Sequence, residues 1–408
     1  EFFEFMRLRA ILTWGFKEFL MVFPLTEEQQ MIRDNVMRIC ADFGDDYWLA
    51  RDEDGVFPED FCLALAEAGY LGIAMPEEFG GGGLGITEAS VMVQAISESG
   101  AANGGVSSVS INVFGVHPIV RYGTDEQKAR WLPPVMRREE RACFAVTEPD
   151  AGLDTTQLST RAVRDGDRYV VHGQKIWTTT AQVADKIMLI ARTTPKEETD
   201  SPIDGLSLFY ADLDRDYVEI KEIPKMGRKC VDSNSVFIDG MPIPIEDRIG
   251  EEGKGFRYLL HGLNPERILL AAGLVGLGRA ALKKATNYAK ERIVFDRPIG
   301  MNQGIQHPLA ESWAELEAAN LMAFTAAQKY DRGEHCGAEA NAAKYLAGEA
   351  CFKACSNAIQ THGGMGYAKE FHVERYFREM LIHRIAPVSP QMILNYLSER
   401  VLGLPRSY

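Results

Sequence analysis

Several features that would settle the class of this 408-residue chain at once are missing from it. No apolar run approaches the ~18 residues that a membrane-spanning helix requires, so a membrane-spanning reading has no support. There is no GxSxG, no HExxH and no CxxC pair, which leaves hydrolase and metal-site chemistry without a motif, and no metal is expected. Basic residues are outnumbered, 44 Lys and Arg against 58 Asp and Glu, and the resulting net charge of −14 argues against a nucleic-acid partner, whose phosphates need basic surface. A local basic pocket for a phosphorylated small molecule stays open. The seven cysteines are odd in number and widely spaced, as expected of reduced thiols in a chain large enough to need no covalent staples. Cys351 and Cys355 stand four apart in a helical pattern and read as small apolar packing residues.

What is present is ordinary globular composition, 46% hydrophobic and 25% charged, in a chain long enough for two or three domains. The first twenty residues, EFFEFMRLRAILTWGFKEFL, mix Glu1, Glu4 and Glu18 with aromatics. A secretory signal lacks that acidity and a transit peptide is acid-poor and Ser-rich. Residues 1–23 are therefore taken as an upstream extension, outside the functional reading.

Residues 24–138 read as helical. Thr26 caps a segment that begins with Glu27 and Glu28 and places Met31, Val36 and Ile39 among charges. GGGGLG at 80–85 reads as a loop, since no strand precedes it and no Lys-Ser/Thr follows, and Pro133-Pro134 is expected to end the helical part. From 139 to 250 the pattern turns to strands: TRAVRDGDRYVVHG with a hairpin turn at Asp165-Gly166, then KIMLIAR, GLSLFYADL, YVEIKEI and SVFIDGMPI, with no βαβ alternation. Residues 251–408 return to helix, with stripes at Leu282/Ala285/Ala289, Leu309/Trp313/Leu316, Ala343/Ala347/Ala350/Ala354 and Ile393/Leu397/Val401. GLVGLG at 273–278 has the wrong order for a dinucleotide fingerprint and reads as close helix packing; HGGMGY at 362–367 reads as a helix end and turn.

One stretch resists this bland account. In NPERILLAAG, 264–273, a charge pair heads a run with no polar face, and a helix apolar all round is an interior one. Glu266 is thus expected inside the protein or on a cleft wall, where a carboxylate is costly unless paired or used. The competing reading is a helix start, with Asn264 as N-cap, Pro265 at the first position and Glu266 at the positive end of the dipole.

Five segments in one order resemble the acyl-CoA dehydrogenase family across residues 24–408: CFAVTEPDAGLD (143–154), KIWTTT (175–180), KMGRKCVDSNSVFIDGMPIP (225–244), ERIVFDRPIGMNQGIQHPLAE (291–311) and QTHGGMGY (360–367). The resemblance implies an α+β architecture, with an N-terminal helical domain, a middle β-barrel or sandwich domain and a C-terminal four-helix bundle. It implies FAD held by Phe144, Val146, Thr147, Gly152 and Leu153, with Trp177 packed on the ring and the Thr179 hydroxyl near its N5. Arg292, Phe295 and Gln303, together with Gln360, Gly363 and Gly364, would reach the cofactor of a neighbouring subunit, so a homo-oligomer, usually a tetramer, follows; Ser389 and Gln391 join the cofactor set.

Two departures stand out. Leu153 replaces the Ser of the family's TEPxAGSD signature, removing a hydroxyl near a flavin phosphate. The family's usual catalytic Glu, in a Glu-Gly-Thr loop, is replaced by Pro387 within RIAPVSPQM; proline offers neither a carboxylate nor a main-chain N–H. In isovaleryl-CoA and long-chain relatives the base sits instead in a Glu-Arg pair matching Glu266-Arg267. The resemblance then implies α,β-dehydrogenation of an acyl-CoA to the trans-2-enoyl-CoA. Glu266 takes the α-proton and flavin N5 the β-hydride, Leu153, Asn264 and Arg267 lie toward substrate, and electrons pass to an electron-transferring flavoprotein. Arg267 either orients the base, helps fix the substrate or is a plain ion-pair partner. For the thioester oxygen, either Val388 N–H replaces the donor lost at Pro387 or one donor is missing. Small residues in GGVSSVSIN, 104–112, with this base placement, point to branched or medium-to-long acyl chains. Rival readings are a flavin oxidase or monooxygenase on the same scaffold, and a catalytically silent CoA-binding assembly protein. Bacterial cytoplasm is the first expected location and the mitochondrial matrix the second.

Overall fold

A computed structural model describes residues 22–407. The expected extension falls largely outside this range, but its last two residues pack on the body: Val22 N–H donates to Glu317 and Phe23 stacks on Phe324 at 4.4 Å.

The N-terminal part is helical: α1 (Glu27–Ala41), α2 (Asp45–Asp54), α3 (Glu59–Glu67), α4 (Ile86–Ile96), α5 (Ala102–Ser110), α6 (His117–Tyr122) and α7 (Asp125–Met136). Thr26 caps α1 as expected, its hydroxyl accepting from Gln29 N–H while the Gln29 side chain returns the bond. The buried stripe of α1 is Ile32, Val36 and Cys40, and Met31 is exposed, so the apolar face lies one residue away from the expected one. Pro133 and Pro134 lie inside α7, which continues to Met136; they break no helix because their neighbours Leu132 and Val135 are anchored in the core. The glycine run at 80–85 is a loop folded back on residues 72–76 through main-chain bonds such as Gly82 N–H to Gly72 O, 2.9 Å.

Eight strands follow: β1 (Ala142–Ala145), β2 (Arg161–Asp165), β3 (Arg168–Thr179), β4 (Lys186–Arg192), β5 (Leu206–Asp212), β6 (Val218–Glu222), β7 (Ser233–Pro244) and β8 (Arg248–Ile249). They form one sheet in the order β6-β7-β3-β1-β4-β5-β8, with β2 paired to β3 and touching β4. The hairpin turn is Gly166-Asp167, one residue later than expected, because Asp165 still pairs with Arg168 and Gly166 supplies the positive φ of 63°. Strand β4 reads as continuous apolar sequence because it is covered on both sides. Ile187, Leu189 and Ala191 enter one core, and Met188 and Ile190 enter another with Trp131 of α7.

The C-terminal part is built on α8 (Gly255–Glu291), a 37-residue helix packed with α9 (Gln303–Asp331) and α10 (Gly337–His362) and closed by α11 (Val373–Met380) and α12 (Pro390–Arg400). A small hairpin, β9 (Ile293–Val294) and β10 (Arg297–Pro298), links α8 to α9. In α12 only Ile393 of the expected stripe is buried; Val401 lies past the helix end and is exposed. Helix α8 serves two cores, giving Ile268 and Leu269 to the N-terminal one and Ala271 to Ala289 to the bundle. The GLVGLG glycines permit this: a Cβ on Gly276 would stand 2.4 Å from the Gln94 carbonyl oxygen, and one on Gly278 2.5 Å from Leu316.

Because the Gln94 carbonyl is backbone and cannot swing away, Gly276→Ala is expected to cost about 1–3 kcal/mol by overpacking α8 against α4. Denaturant melts of the two proteins should show this; an unchanged midpoint would contradict the packing account.

Candidate active site

Glu266 lies in the middle of α8, not at a helix start. The helix runs unbroken through Pro265, so Asn264 is no N-cap and the carboxylate is not answering a helix dipole. Sequence pattern pointed to a start because Asn-Pro-Glu is a common one; tertiary packing of the flanking apolar turns overrides it. Asn264 instead accepts a hydrogen bond from Arg267 at 3.2 Å. Arg267 makes no ion pair with Glu266 among the described residues, and its buried Nε has no partner.

Glu266 is only partly covered, yet protein surrounds it closely enough that lost hydration raises its carboxyl to about 7, against the opposing pull of Arg267 and Lys344. It accepts no hydrogen bond among the described residues. Side chains on a helix lean toward its N-terminus. One turn back stands Gly262, where nothing lies within 4 Å of an added Cβ, so packing leaves that position of the helix unfilled.

Lys344, on α10, gave no signal in the sequence beyond its place among the alanines of that helix. It is 1% exposed, and burial, then Arg267, lower its pKa to about 8. Its ammonium donates to the Val388 carbonyl at 2.7 Å, in the loop that carries Pro387. The Val388 N–H meets no acceptor among the described residues. One cation is therefore bonded to the loop of Pro387 and, through its charge alone, opposes the rise of the Glu266 carboxyl.

The second group of expected residues lies on the sheet. Between Lys175 and Thr178 the β3–β7 register slips by one residue, a bulge that turns Trp177 outward with φ 60° and leaves it 52% exposed. Phe144 pairs with Thr179 across β1 and β3, and Thr147 accepts the Ile176 N–H at 2.9 Å, so Phe144, Val146, Thr147, Trp177 and Thr179 share one neighbourhood. Gly152 and Leu153 sit on an exposed loop beside it. Beneath them Glu148 acts as a latch: it accepts from Ser159 N–H, Thr160 N–H and the fully buried Lys175 at 2.8 Å. Burial raises Glu148, but Lys175 and these donors outweigh it and bring it to about 2. Lys175 falls to about 8, chiefly through burial; both groups remain charged at neutral pH. An outward indole on a strained bulge, over a rigid latch, suits the flat apolar face of a flavin.

The third group gathers at one end of the bundle. Tyr288 stacks on His362 at 4.4 Å, which holds the α8 end with Arg292 beside the α10 end with Gln360, Gly363 and Gly364. Phe295 tips the β9–β10 hairpin with φ 50° and is 93% exposed, and Gln303 opens α9 at the surface. No hydrogen bond or ring contact joins this group to the Trp177 group among the described residues. Ser389 caps α12 by accepting from Met392 N–H at 3.3 Å, and Gln391 is exposed beside it.

The glycines of GGVSSVSIN are already used in packing. An added Cβ on Gly104 would meet Cys230 at 3.2 Å, and one on Gly105 would meet Ala101, Ile96 and Trp48. They therefore do not by themselves open an acyl cavity.

Three family models match the chain: acyl-CoA dehydrogenase N-terminal domain at residues 26–139, middle domain at 143–241 and C-terminal domain at 253–402. The acyl-CoA dehydrogenase FadE12 of Mycobacterium tuberculosis is 37% identical over 389 residues, covering 94% of this chain and 98% of the relative. The caffeyl-CoA reductase–Etf complex subunit CarC of Acetobacterium woodii is 33% identical over 384 residues, covering 92% and 99%. Among solved structures the FAD complex of PigA superposes with a TM-score of 0.88 at 27% identity, covering 94% of this chain and all of that one.

The raised Glu266 value has a stability consequence. Below about pH 4.5, its ordinary value, both folded and unfolded chains hold the proton. Between there and about 7 the unfolded chain releases a proton that the folded chain keeps, so stability falls as pH rises. Glu266→Gln should escape that loss and exceed the parent by roughly 1–3 kcal/mol at pH 8 but not at pH 4.5. Denaturation at the two pH values measures the gap; a gap independent of pH would remove the buried-acid assignment.

Proposed function

The chain belongs to the acyl-CoA dehydrogenase family, FAD-dependent oxidoreductases acting on CH–CH bonds, and on that premise we propose that Glu266 is its catalytic base in α,β-dehydrogenation of an acyl-CoA. The observation that carries the proposal is a carboxylate with no hydrogen-bond partner, raised to about 7, one turn after the unfilled Gly262 position and within the electrostatic reach of Lys344, which is bonded to the loop of Pro387. A base near neutral is matched to a carbon acid whose proton it must take and later release. Glu266, as carboxylate, removes the α-proton that the thioester carbonyl acidifies. Lys344 and Arg267 keep that carboxylate from rising further and so keep it ionised at working pH. The negative charge that develops on the thioester oxygen needs a donor, and the unpaired Val388 N–H, in the loop whose Val388 carbonyl Lys344 holds, is the one we assign. Trp177 and Thr179, with Phe144, Val146, Thr147, Gly152 and Leu153, hold the FAD, while Arg292, Phe295, Gln303, Gln360, Gly363 and Gly364 serve the site of a second copy in a tetramer; Ser389 and Gln391 complete the set. When bound, FAD supplies the acceptor for the β-hydrogen and its electron pair.

Base placement on α8 favours branched or medium-to-long acyl chains. An electron-transferring flavoprotein is the proposed electron partner, supported by the name of the CarC relative, and a bacterial cytoplasm the proposed location, supported by the sources of both relatives.

Anaerobic titration of the purified flavoprotein with an acyl-CoA panel, following the flavin band, tests the base. Glu266→Gln should keep the yellow colour and bleach at least about 10³-fold more slowly. Bleaching at the parent rate would mean that another group takes the proton, and failure of the parent to bleach with any thioester would favour a silent binding protein. Val388→Pro, which removes the assigned donor, should slow bleaching by about 10²-fold or more while substrate still binds. An unchanged rate would return that role to another donor.

A further inference from the structure

Two buried lysines of this protein act on a glutamate, and they meet it in different ways. Lys175 donates straight to Glu148 at 2.8 Å and, with the Ser159 and Thr160 donors, brings that carboxyl to about 2. Lys344 is 1% exposed, and its charge acts on Glu266. Yet it makes no ion pair among the described residues: its ammonium donates to the main-chain carbonyl of Val388 at 2.7 Å.

Packing brings the two groups near each other without joining them. The turn of α10 that carries Lys344 is set in the bundle core by Ala343 and Ala347, and α8 enters the same core at Ala271, little more than one turn after Glu266. The other charges about them are few. On α8, Arg267 acts on both groups but is bonded to Asn264 at 3.2 Å, and consecutive residues of a helix do not face each other. On α10, Glu349 acts on Lys344 but is engaged by Arg384 at 2.9 and 3.0 Å. His383, in the turn before the loop of Pro387, feels Lys344 and is kept neutral chiefly by its own burial.

A direct ammonium–carboxylate bond would do to Glu266 what Lys175 does to Glu148, and leave a carboxylate too weak to take a proton from carbon. Without the lysine charge, burial would raise Glu266 further and leave more of it protonated near neutral pH. Held on Val388, Lys344 does neither. We infer that Lys344 is a positioning residue for the dehydrogenation: the Val388 carbonyl holds its ammonium off Glu266, so that its charge keeps the acid ionised while the carboxylate stays free to accept the α-proton. The inference rests on Glu266 being the base and adds what sets the strength of that base.

The test is the pH profile of anaerobic flavin reduction by an acyl-CoA, with the parent flavoprotein and with Lys344→Met, Lys344→Gln and Lys344→Arg. Lys344, at about 8, is charged throughout the acid limb that Glu266, at about 7, produces. Its charge opposes the rise of Glu266, so its loss moves that limb upward. In both neutral variants the limb of kcat/KM should rise by about half a pH unit or more, and Lys344→Arg should keep it within about 0.3 unit of the parent. A substitution that only loosened the structure would slow the reaction equally at every pH. An unmoved limb in both neutral variants, or one moved as far by Lys344→Arg, overturns the inference. Should Lys344→Met fail to hold flavin, Lys344→Gln and a denaturation series decide. The stability gained by Glu266→Gln grows from pH 4.5 up to the folded value of Glu266, and in a Lys344→Gln background that growth should continue to higher pH. Growth that ends at the same pH in both backgrounds also overturns the inference. The two readings separate cleanly: Glu266→Gln bleaching at the parent rate removes the base and this inference with it, whereas abolished bleaching there with an unmoved limb in the neutral Lys344 variants removes this inference alone.

Discussion

Contact between the backbones of α8 and α4, made possible where Gly276 meets the Gln94 carbonyl, forces a 37-residue helix to lie between two apolar cores. From Ile268 to Leu282 that helix has no exposed position, and Glu266, at the edge of this stretch, loses much of its hydration. Glu266 is placed by this constraint. The same packing that supplies much of the hydrophobic stabilisation imposes on one carboxylate a cost that only a functional role explains.

The protein treats its buried charges in two ways. Glu148 and Lys175 are mutually satisfied, the carboxylate held by main-chain and hydroxyl donors as well as by the ammonium, and they fix the strand edge beneath Trp177. Arg279 and Glu317 form a comparable closed pair between α8 and α9. Glu266 is not closed off in this way; it accepts no hydrogen bond among the described residues and feels Arg267 and Lys344 only through their charge. Closed pairs define a rigid frame, and open groups within it are where chemistry is done, because a preorganised charge needs no reorganisation when a substrate arrives.

Local rules read from sequence succeeded where local energy dominates. Thr26 caps α1 because a hydroxyl one position before the first turn can reach Gln29 N–H whatever the rest of the chain does. Strand β4 was legible because an unbroken apolar run, Ile187–Ala191, fits a pleated surface covered on both sides. The same rules failed at Pro265 and at Pro133-Pro134, where a lost main-chain bond is outweighed by burial of the neighbouring turns. The outward turn of Trp177 was also not legible, since a bulge is a difference in register between two strands far apart in sequence.

The candidate site divides along similar lines. Glu266 was visible in sequence because a charge inside an apolar periodicity is a local contradiction. Lys344 was not, since a lysine among alanines looks like solvated surface, and its burial depends on which elements pack against it. Sequence by itself determined the succession of helical, β and helical parts and the carboxylate that contradicts its surroundings, because periodicity, caps and turn chemistry act over a few residues. Only tertiary structure decided that α8 passes unbroken through Pro265 and that Lys344, whose charge acts on Glu266, is buried and bonded to the loop of Pro387. Those outcomes depend on how much water long-range packing removes from each charge, a quantity that no stretch of sequence carries alone.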